Sequence, residues 1–222
     1  MTTNNQLAKI VAQIKALAQQ HTLYQNIIKT QGKICIIRGT SQTPDFLFIG
    51  EAPGHEENKI GKPFVGRSGR LLNMWLEQNQ IKSYAIINTL PIIPLQDGKI
   101  RPPTDEEIQF FQPSVKQLME ALNPKYIVVI GKSAAKCLAI NFKNCEWQQN
   151  IGCIYHPAYY MRNGQDGVAD FKKLIDNLSR TLKTSFVINQ QIADNTGHKE
   201  MISGILAGLH YFCRQAKIFD FK

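Results

Sequence analysis

A short apolar run that ends in a long glycine-rich segment constrains this chain more than any other feature. The run Phe46-Leu47-Phe48-Ile49 is continuous, as expected for a strand that is buried on both faces. Residues 50–69 follow it and contain five of the chain's fifteen glycines. Glycine allows close backbone approaches that a Cβ would block. Such a junction predicts a ligand site at the carboxyl edge of an α/β sheet.

Strand-like and helix-like segments alternate along the rest of the chain. Apolar runs predict strands at 34–37, 45–50, 84–88, 126–130 and 151–155. Helical spacing predicts helices at 4–20, 70–79, 105–122, 133–138, 168–182 and near 200–213. Thr104 with Glu107 three residues later predicts a capping box. This alternation is typical of the α/β class, a parallel sheet with helices on both faces, and we expect one domain over residues 1–222.

Bulk composition limits the classes of protein that fit. No apolar run approaches the roughly 18 residues that a membrane-spanning helix needs. The first residues show neither the basic nor the apolar region of a signal peptide, so we expect a cytoplasmic protein. The five cysteines form no C-x-x-C pair, which favours reduced thiols over a disulfide framework or a zinc site.

The chain carries a formal charge of +9 and has a pI near 9.3. A basic excess of this size is common in proteins that bind nucleic acid. A basic surface that serves only solubility is the alternative, and charge alone does not decide between them.

Three side chains in the glycine-rich segment are candidates for chemistry. Glu51 and Glu57 are six residues apart in what reads as an irregular loop, so both could face one cleft and orient water or stabilise a cation. Exposed or capping carboxylates are the alternative. Phe64 lies outside any periodic apolar face, and it could stack on a planar ligand or simply plug the loop.

Two further candidates stand at the ends of predicted strands. Asn88 offers both a donor and an acceptor, which suits reading the edge of a base, although a turn-forming asparagine is the alternative. His156 is followed by Pro-Ala-Tyr-Tyr-Met-Arg. An aromatic-then-basic turn is typical of a loop that wedges into a nucleic acid and grips phosphate, although a lone histidine is more often structural.

One apparent nucleotide motif fails. Gly131-Lys132-Ser133 after a strand resembles the end of a phosphate-binding loop, but that motif needs a glycine at the position of Tyr126. The remaining interpretations of this segment are a helix N-terminus that contacts a phosphate and a plain turn.

The ordered set of these motifs resembles the uracil-DNA glycosylase superfamily, and most closely its family 4. The resemblance covers about residues 34–182 and rests on G-E-A-P-G-x-x-E-x-x-x-G-x-P-F-V-G-x-x-G at 50–69, Asn88, P-x-x-x-E-I at 103–108 and H-P-A-Y-Y-M-R at 156–162. It implies a three-layer α/β/α sandwich around a central four-stranded parallel sheet. It also implies excision of a flipped-out uracil from DNA.

The resemblance also assigns roles to residues. Gly50 and Ala52 would wall the uracil pocket, Phe64 would stack on uracil, and Asn88 would bond its polar edge. Glu51, Glu57 and His156 would be catalytic, His156 by donating to the departing uracil oxygen. The expected DNA contacts are Lys62, Arg67, Tyr159, Tyr160, Met161 and Arg162, the last four in a loop inserted into the duplex.

The chain departs from the family 4 pattern at the iron–sulfur cluster. Two of the expected cysteines fall at Ile92–Ile93 and at Phe111, and the N-terminal pair is absent. We therefore expect neither a cluster nor another metal or cofactor, with apolar packing in its place. The histidine-bearing insert of the relatives that trap uracil covalently is also missing between Ile93 and Arg101.

The leading hypothesis is a monomeric, cluster-free uracil-DNA glycosylase that acts on uracil-containing DNA in base excision repair, in the cytosol or nucleoid of a bacterium. A catalytically weak or inactive DNA-binding module of the same fold is one alternative. A glycosylase for hypoxanthine or xanthine is another, because Asn88 alone does not fix the base.

Overall fold

The structure is a computed structural model that describes residues 3–180. Its helices are α1 (Thr3–Gln20), α2 (Tyr24–Thr30), α3 (His55–Ile60), α4 (Arg67–Gln78), α5 (Asp105–Leu122), α6 (Lys132–Cys137), α7 (Pro157–Arg162) and α8 (168–180). Its strands are β1 (Ile37–Gly39), β2 (Phe46–Gly50), β3 (Tyr84–Asn88), β4 (Leu95–Gln96), β5 (Lys99–Ile100), β6 (Tyr126–Ile130), β7 (Trp147–Gln148) and β8 (Ile151–Ile154). None of the helices in this range is long and apolar enough to cross a membrane.

Six of the strands form one sheet in the order β1-β3-β2-β6-β8-β7. The inner four are parallel, so the predicted four-stranded parallel sheet is confirmed. The structure adds an antiparallel strand at each edge, β1 beside β3 and β7 beside β8. The remaining strands, β4 and β5, form a separate antiparallel hairpin.

Each face of the sheet carries its own apolar core. Because side chains alternate along a strand, Leu47 and Ile49 of β2 face one core while Phe46 and Phe48 face the other. The first core packs the sheet against α1, α2, α5 and α6, and the second packs it against α4, α7 and α8. This three-layer arrangement confirms the predicted α/β/α fold class.

Three short helices were not predicted as helices. The segment 50–69, predicted as irregular, contains α3, and residues 157–162, predicted as an inserted loop, form α7. The third, α2, follows the N-terminal helix. Helices of six or seven residues are too short to show a clear apolar period, and their signals are local. Pro157 at the first position of α7, with His156 as its N-cap, is such a signal.

The prediction of a strand at 34–37 is wrong in position, since β1 spans Ile37–Gly39. The residues before Ile37 lie along the segment that follows β3, where Cys35 N donates to the carbonyl oxygen of Pro91 at 2.8 Å. The predicted capping box is confirmed, because Glu107 N donates to Thr104 Oγ1 and Thr104 N donates to the Glu107 carboxylate. The helix predicted near 200–213 and the end of the one predicted to 182 lie outside the described residues.

Candidate active site

A cavity of about 480 Å³ opens at the carboxyl edge of the parallel strands. Its walls come from the segment that follows β2, from His156 and α7 after β8, and from the stretch around the β4–β5 hairpin. This is the edge at which open α/β sheets bind ligands. The volume lies in the range of small-molecule sites.

Phe64, Asn88 and His156 converge at this edge although they are far apart in the chain. Gly50, the last residue of β2, is the point where two of them meet. A Cβ built on Gly50 would lie 2.3 Å from Phe64 Cε2 and 2.7 Å from Asn88 Oδ1, so only glycine fits here. On the other side of Phe64, the ring centroid of His156 lies 5.6 Å from that of the phenyl ring. An aromatic face, an amide and an imidazole therefore share one small region.

The amide of Asn88 is buried without a hydrogen-bond partner. Its Oδ1 and Nδ2 are both inaccessible to solvent and have no partner among the described residues. An unpaired buried polar group costs about 1–3 kcal/mol, and folded proteins rarely leave one without a reason. Asn58 Oδ1 is also unpaired, but Asn58 Nδ2 donates to Thr30 Oγ1 of α2. Among the residues that the structure describes, Asn88 alone combines an unpaired donor with an unpaired acceptor, and it lies beside the ring of Phe64.

The imidazole of His156 is held in one orientation. As the N-cap of α7, it accepts a hydrogen bond at Nδ1 from Ala158 N at 3.2 Å. Burial lowers the pKa of His156 to about 4, and the nearby Arg162 cation acts in the same direction. The ring is therefore neutral at pH 7 with its proton on Nε2, and His156 lines the cavity.

Glu57 serves the backbone of the loop. Its carboxylate is buried and accepts three backbone N–H groups, from Gly54 at 3.1 Å, Val65 at 2.9 Å and Gly66 at 2.6 Å. These bonds tie the start of α3 to the start of α4. The segment around Glu57 is helical rather than irregular, and Glu57 lines the cavity while its oxygens accept these bonds. The arrangement favours a positioning role, and the catalytic role that the resemblance implies stays a prediction.

Phe64 has an unfavourable backbone conformation that its neighbours hold in place. Its φ is +53°, in the left-handed region that costs a bulky residue on the order of 1 kcal/mol. Arg38 Nε donates to the carbonyl oxygen of Pro63 at 2.8 Å, and Arg38 Nη2 donates to Asn73 Oδ1 at 2.7 Å. With Glu57 bonded to Val65 N, the peptide groups on both sides of Phe64 are fixed by charged side chains.

Glu51 reaches the cavity from the residue after β2. Its Oε2 accepts a hydrogen bond of 2.5 Å from Ser133 Oγ at the start of α6, and its side chain is partly exposed. Ser133 belongs to the Gly131-Lys132-Ser133 turn that resembles a phosphate loop. In the structure that turn orients a carboxylate at the site.

Five of the six residues predicted to contact DNA are exposed or only partly buried. Arg67 and Arg162 are exposed and line the cavity, Lys62 is exposed, and Met161 is partly buried. Tyr159 is 40% exposed, and its ring stacks on Tyr155 with centroids 4.4 Å apart.

Tyr160 does not belong with them. It is 2% exposed, packs edge-on against Trp75, and donates from Oη to Asp170 Oδ2 at 2.7 Å. Burial and the hydrogen bond to Asp170 raise the pKa of its hydroxyl. In this structure Tyr160 therefore belongs to the core, because the helical turn of α7 directs it inward, and the arrangement gives no support to the predicted DNA contact.

The positions at which family 4 places cluster cysteines do not fit an iron–sulfur group. Ile92, Ile93 and Phe111 are completely buried, and none of them carries a sulfur or nitrogen donor. The cysteines of the described range, at 35, 137, 145 and 153, are all buried. Between residues 3 and 180 no group of three or more His, Cys, Asp or Glu could hold a metal ion.

Two contributors to the site were missed by the sequence reasoning. Arg38 carries no motif, since its role depends on the pairing of β1 beside β3. The β4–β5 hairpin did have a signal, because Asp97-Gly98 is a typical two-residue turn.

Comparison of the sequence with known proteins shows one family and several relatives. Residues 37–179 match the family described as the Uracil DNA glycosylase superfamily. The chain is 28% identical over 167 residues to a type-4 uracil-DNA glycosylase of Archaeoglobus fulgidus, covering 66% of this chain and 83% of that protein. It is 30% identical over 128 residues to the type-4 uracil-DNA glycosylase of Thermotoga maritima, covering 53% and 66%. A third such protein, from Sulfurisphaera tokodaii, is 34% identical over 98 residues, covering 41% and 42%.

The matched range runs from β1 into α8 and contains Glu51, Phe64, Asn88 and His156. The resemblance to family 4 is confirmed by the names of these relatives. The chain therefore belongs to the uracil DNA glycosylase superfamily.

Proposed function

We propose that this protein excises uracil from DNA by hydrolysing the N-glycosidic bond between the base and deoxyribose. The observation that carries the proposal is the buried amide of Asn88, whose donor and acceptor are both unpaired beside the ring of Phe64. A flat ligand with an adjacent acceptor and donor would satisfy both atoms. Uracil presents this pair as O4 and N3–H.

Stacking and edge recognition would act together on an extruded base. Removing a base from the duplex costs a few kcal/mol, which the site has to return through new contacts. Phe64 offers a fixed aromatic face, because the peptides on both sides of it are held by Arg38 and Glu57. Asn88 Nδ2 would donate to O4 while Oδ1 accepts from N3–H.

His156 is suited to stabilise the leaving base. When the C1′–N1 bond breaks, its electron pair goes to uracil, and the negative charge spreads onto O2. The neutral imidazole, with Nδ1 engaged by Ala158 N, has its Nε2–H available as a donor to that oxygen. Such a bond strengthens as charge develops, so it lowers the transition state more than the ground state.

Glu51 is suited to the other half of the reaction. As the base departs, C1′ of the sugar becomes cationic, and water then adds to it and releases a proton. A carboxylate at the cavity wall stabilises the cation and can orient and accept the proton from that water. Ser133 Oγ holds one oxygen of Glu51 in place for this task.

We also propose that the reaction proceeds without an iron–sulfur cluster. Ile92, Ile93 and Phe111 are fully buried, and Ile92 and Phe111 belong to the core that packs the sheet on α1 and α5. Apolar packing there supports the fold near Asn88, which lies four residues before Ile92. No step of the proposed chemistry needs a metal.

A labelled oligonucleotide with one uracil tests the proposal. After incubation with the protein and then alkali, the strand should be cut at the uracil in single-stranded or double-stranded substrate, while a thymine control stays intact. A folded protein that binds these oligonucleotides but releases no base would overturn the proposal and leave a DNA-binding module.

Hypoxanthine is the second candidate base, because it presents the same acceptor and donor as O6 and N1–H. A parallel oligonucleotide with hypoxanthine separates the two. Faster release of hypoxanthine than of uracil would reassign the substrate while keeping the role of Asn88. Faster release of uracil supports the primary proposal.

A further inference from the structure

The β4–β5 hairpin is a second structural element at the mouth of the cavity, separate from α7. Its strands pair Leu95 with Ile100 and Gln96 with Lys99. The turn consists of Asp97 and Gly98, with φ of +51° and +75°. Two successive positive φ values are typical of the tight type I′ turn, whose second position favours glycine. The hairpin is therefore short and defined in conformation.

The base of the hairpin is fixed to the first turn of α5. Arg101, the residue after β5, donates from Nη1 to Glu107 Oε2 at 2.8 Å and from Nη2 to Glu107 Oε1 at 2.5 Å. Glu107 is buried and also accepts from Thr104 N. Bidentate pairs of this kind restrict geometry strongly. Arg101 N in addition donates to the carbonyl oxygen of Pro94, which closes the hairpin.

Ile100 has no place in either core of the protein. Its side chain is 47% exposed, it packs against neither apolar cluster, and it lines the cavity together with Pro94 and Arg101. An exposed isoleucine on a rigid hairpin at the rim of a ligand cavity has apolar surface available for a partner.

The charges around Ile100 favour a polyanion as that partner. Lys99 precedes it and is exposed, and Arg67 and Arg162 are exposed at the same cavity. Asp97 in the turn and Glu51 and Glu56 in the cavity lining carry the opposite charge, but Glu56 pairs with Arg70 and the chain as a whole carries +9. Cationic side chains around an apolar side chain are the combination with which proteins hold phosphates and insert apolar wedges between base steps.

We infer that Ile100 contacts the DNA duplex beside the extruded nucleotide, as an apolar wedge carried by the β4–β5 hairpin. The inference rests on the proposed binding of DNA at this site. Extrusion of a base leaves a gap in a duplex that water fills poorly, and an apolar side chain in contact with the flanking base pairs stabilises the opened state. A single strand has no such gap, so the contribution of Ile100 is specific to duplex DNA.

The experiment measures binding to DNA with a tetrahydrofuran abasic analogue, which cannot be cleaved, by fluorescence anisotropy. The duplex and the single strand are compared for wild type, Ile100→Ala, Ile100→Asp and Ile100→Leu. Ile28→Ala is the matched control, because Ile28 is 56% exposed on α2 and does not line the cavity.

Ile100→Ala should weaken duplex binding about tenfold and single-strand binding less than about twofold, as expected for loss of one apolar contact. Ile100→Asp should weaken duplex binding further, and Ile100→Leu should restore it. Equal losses on both DNAs, or the same duplex affinity for Ile100→Ala and Ile28→Ala, would overturn the inference. If wild type releases no uracil but this binding pattern appears, the wedge stands and the proposed catalysis fails.

Discussion

Phe64 and Ile100 are large apolar residues that line the same cavity, yet one is 4% exposed and the other 47%. Phe64 is held in a strained conformation by two charged side chains that bond its neighbouring peptides. Ile100 lies on a hairpin that is held by its backbone pairing and by the Arg101–Glu107 pair. Phe64 is thus packed within the protein, whereas Ile100 leaves apolar surface exposed at the cavity.

Under the proposed function, this contrast predicts different roles for the inner wall and the mouth of the cavity. Groups that read the base need a fixed geometry, since a misplacement of about 1 Å can cost a hundredfold in rate. Groups that contact DNA need accessible surface more than rigidity of the side chain. Changes to the inner wall should therefore affect excision from both kinds of DNA, and changes at the mouth should affect duplex DNA selectively.

Asn88→Ala should have the largest effect on excision. It removes both hydrogen bonds to the base, and we expect a loss of about a thousandfold in kcat/KM on single-stranded and duplex substrate. Because the amide is unpaired in the free protein, the melting temperature should stay the same or rise. A variant with wild-type kinetics, or one that simply melts earlier, would argue that Asn88 is structural.

Glu57 distinguishes a positioning role from a catalytic one. Glu57→Ala leaves three backbone N–H groups without their acceptor, so excision should fall about a hundredfold and the free energy of unfolding by about 3 kcal/mol. Glu57→Gln keeps one oxygen acceptor and should retain part of both. If Glu57→Gln loses all excision at unchanged stability, the carboxylate takes part in the chemistry.

Substitution of Arg38 tests the hydrogen bond that holds the peptide group before Phe64. Arg38→Met removes the donors to Pro63 and Asn73, and we expect about a tenfold loss in kcat/KM on both DNAs, with part of it restored in Arg38→Lys. Lys125→Met is the control. It breaks an exposed ion pair with Asp45 at the opposite edge of the sheet and should change kcat/KM less than about twofold. Similar losses in both variants would indicate that Arg38 does not hold Phe64 in position.

The last prediction concerns the pH dependence of kcat, in which His156 should produce no transition. With a pKa of about 4, His156 stays neutral between pH 8 and pH 5, so kcat should show no transition at the ordinary histidine value of 6.5. Nitrogen NMR of the imidazole should find the proton on Nε2 throughout this range. A transition near pH 6.5 in both measurements would contradict the neutral donor.

The lowered pKa of His156 also makes the stability of the fold depend on pH. Because the folded-state pKa of His156 is lower than 6.5, the unfolded chain binds more protons as pH falls from 6.5 towards 4, and folding loses stability in that window. Above pH 6.5 this contribution is constant. Comparison of wild type with His156→Asn isolates it from His21, whose pKa is also lowered by burial.

The sequence predicted the parts of this molecule that depend on long apolar patterns. The runs at 46–49 and 126–130 are buried strands of the parallel sheet, and short continuous apolar runs are typical of strands covered on both faces. Gly50 and Asn88 end neighbouring parallel strands, so their proximity followed from the topology.

Other features of the site depend on contacts between distant residues, which the apolar pattern of the sequence does not encode. The role of Glu57 required the fold of α3, and the clamp by Arg38 required the pairing of an edge strand. The burial of Tyr160 could not be predicted, because its helix is only six residues long and directs it into the core while Arg162 stays exposed. Short elements lack the periodicity that reveals direction.

The most direct test of the account is a crystal structure of the protein with free uracil. We expect the base to stack on Phe64, with Asn88 Nδ2 donating to O4, Asn88 Oδ1 accepting from N3–H, and His156 Nε2 donating to O2. Uracil bound elsewhere, or in the cavity with the Asn88 amide still unpaired, would contradict it.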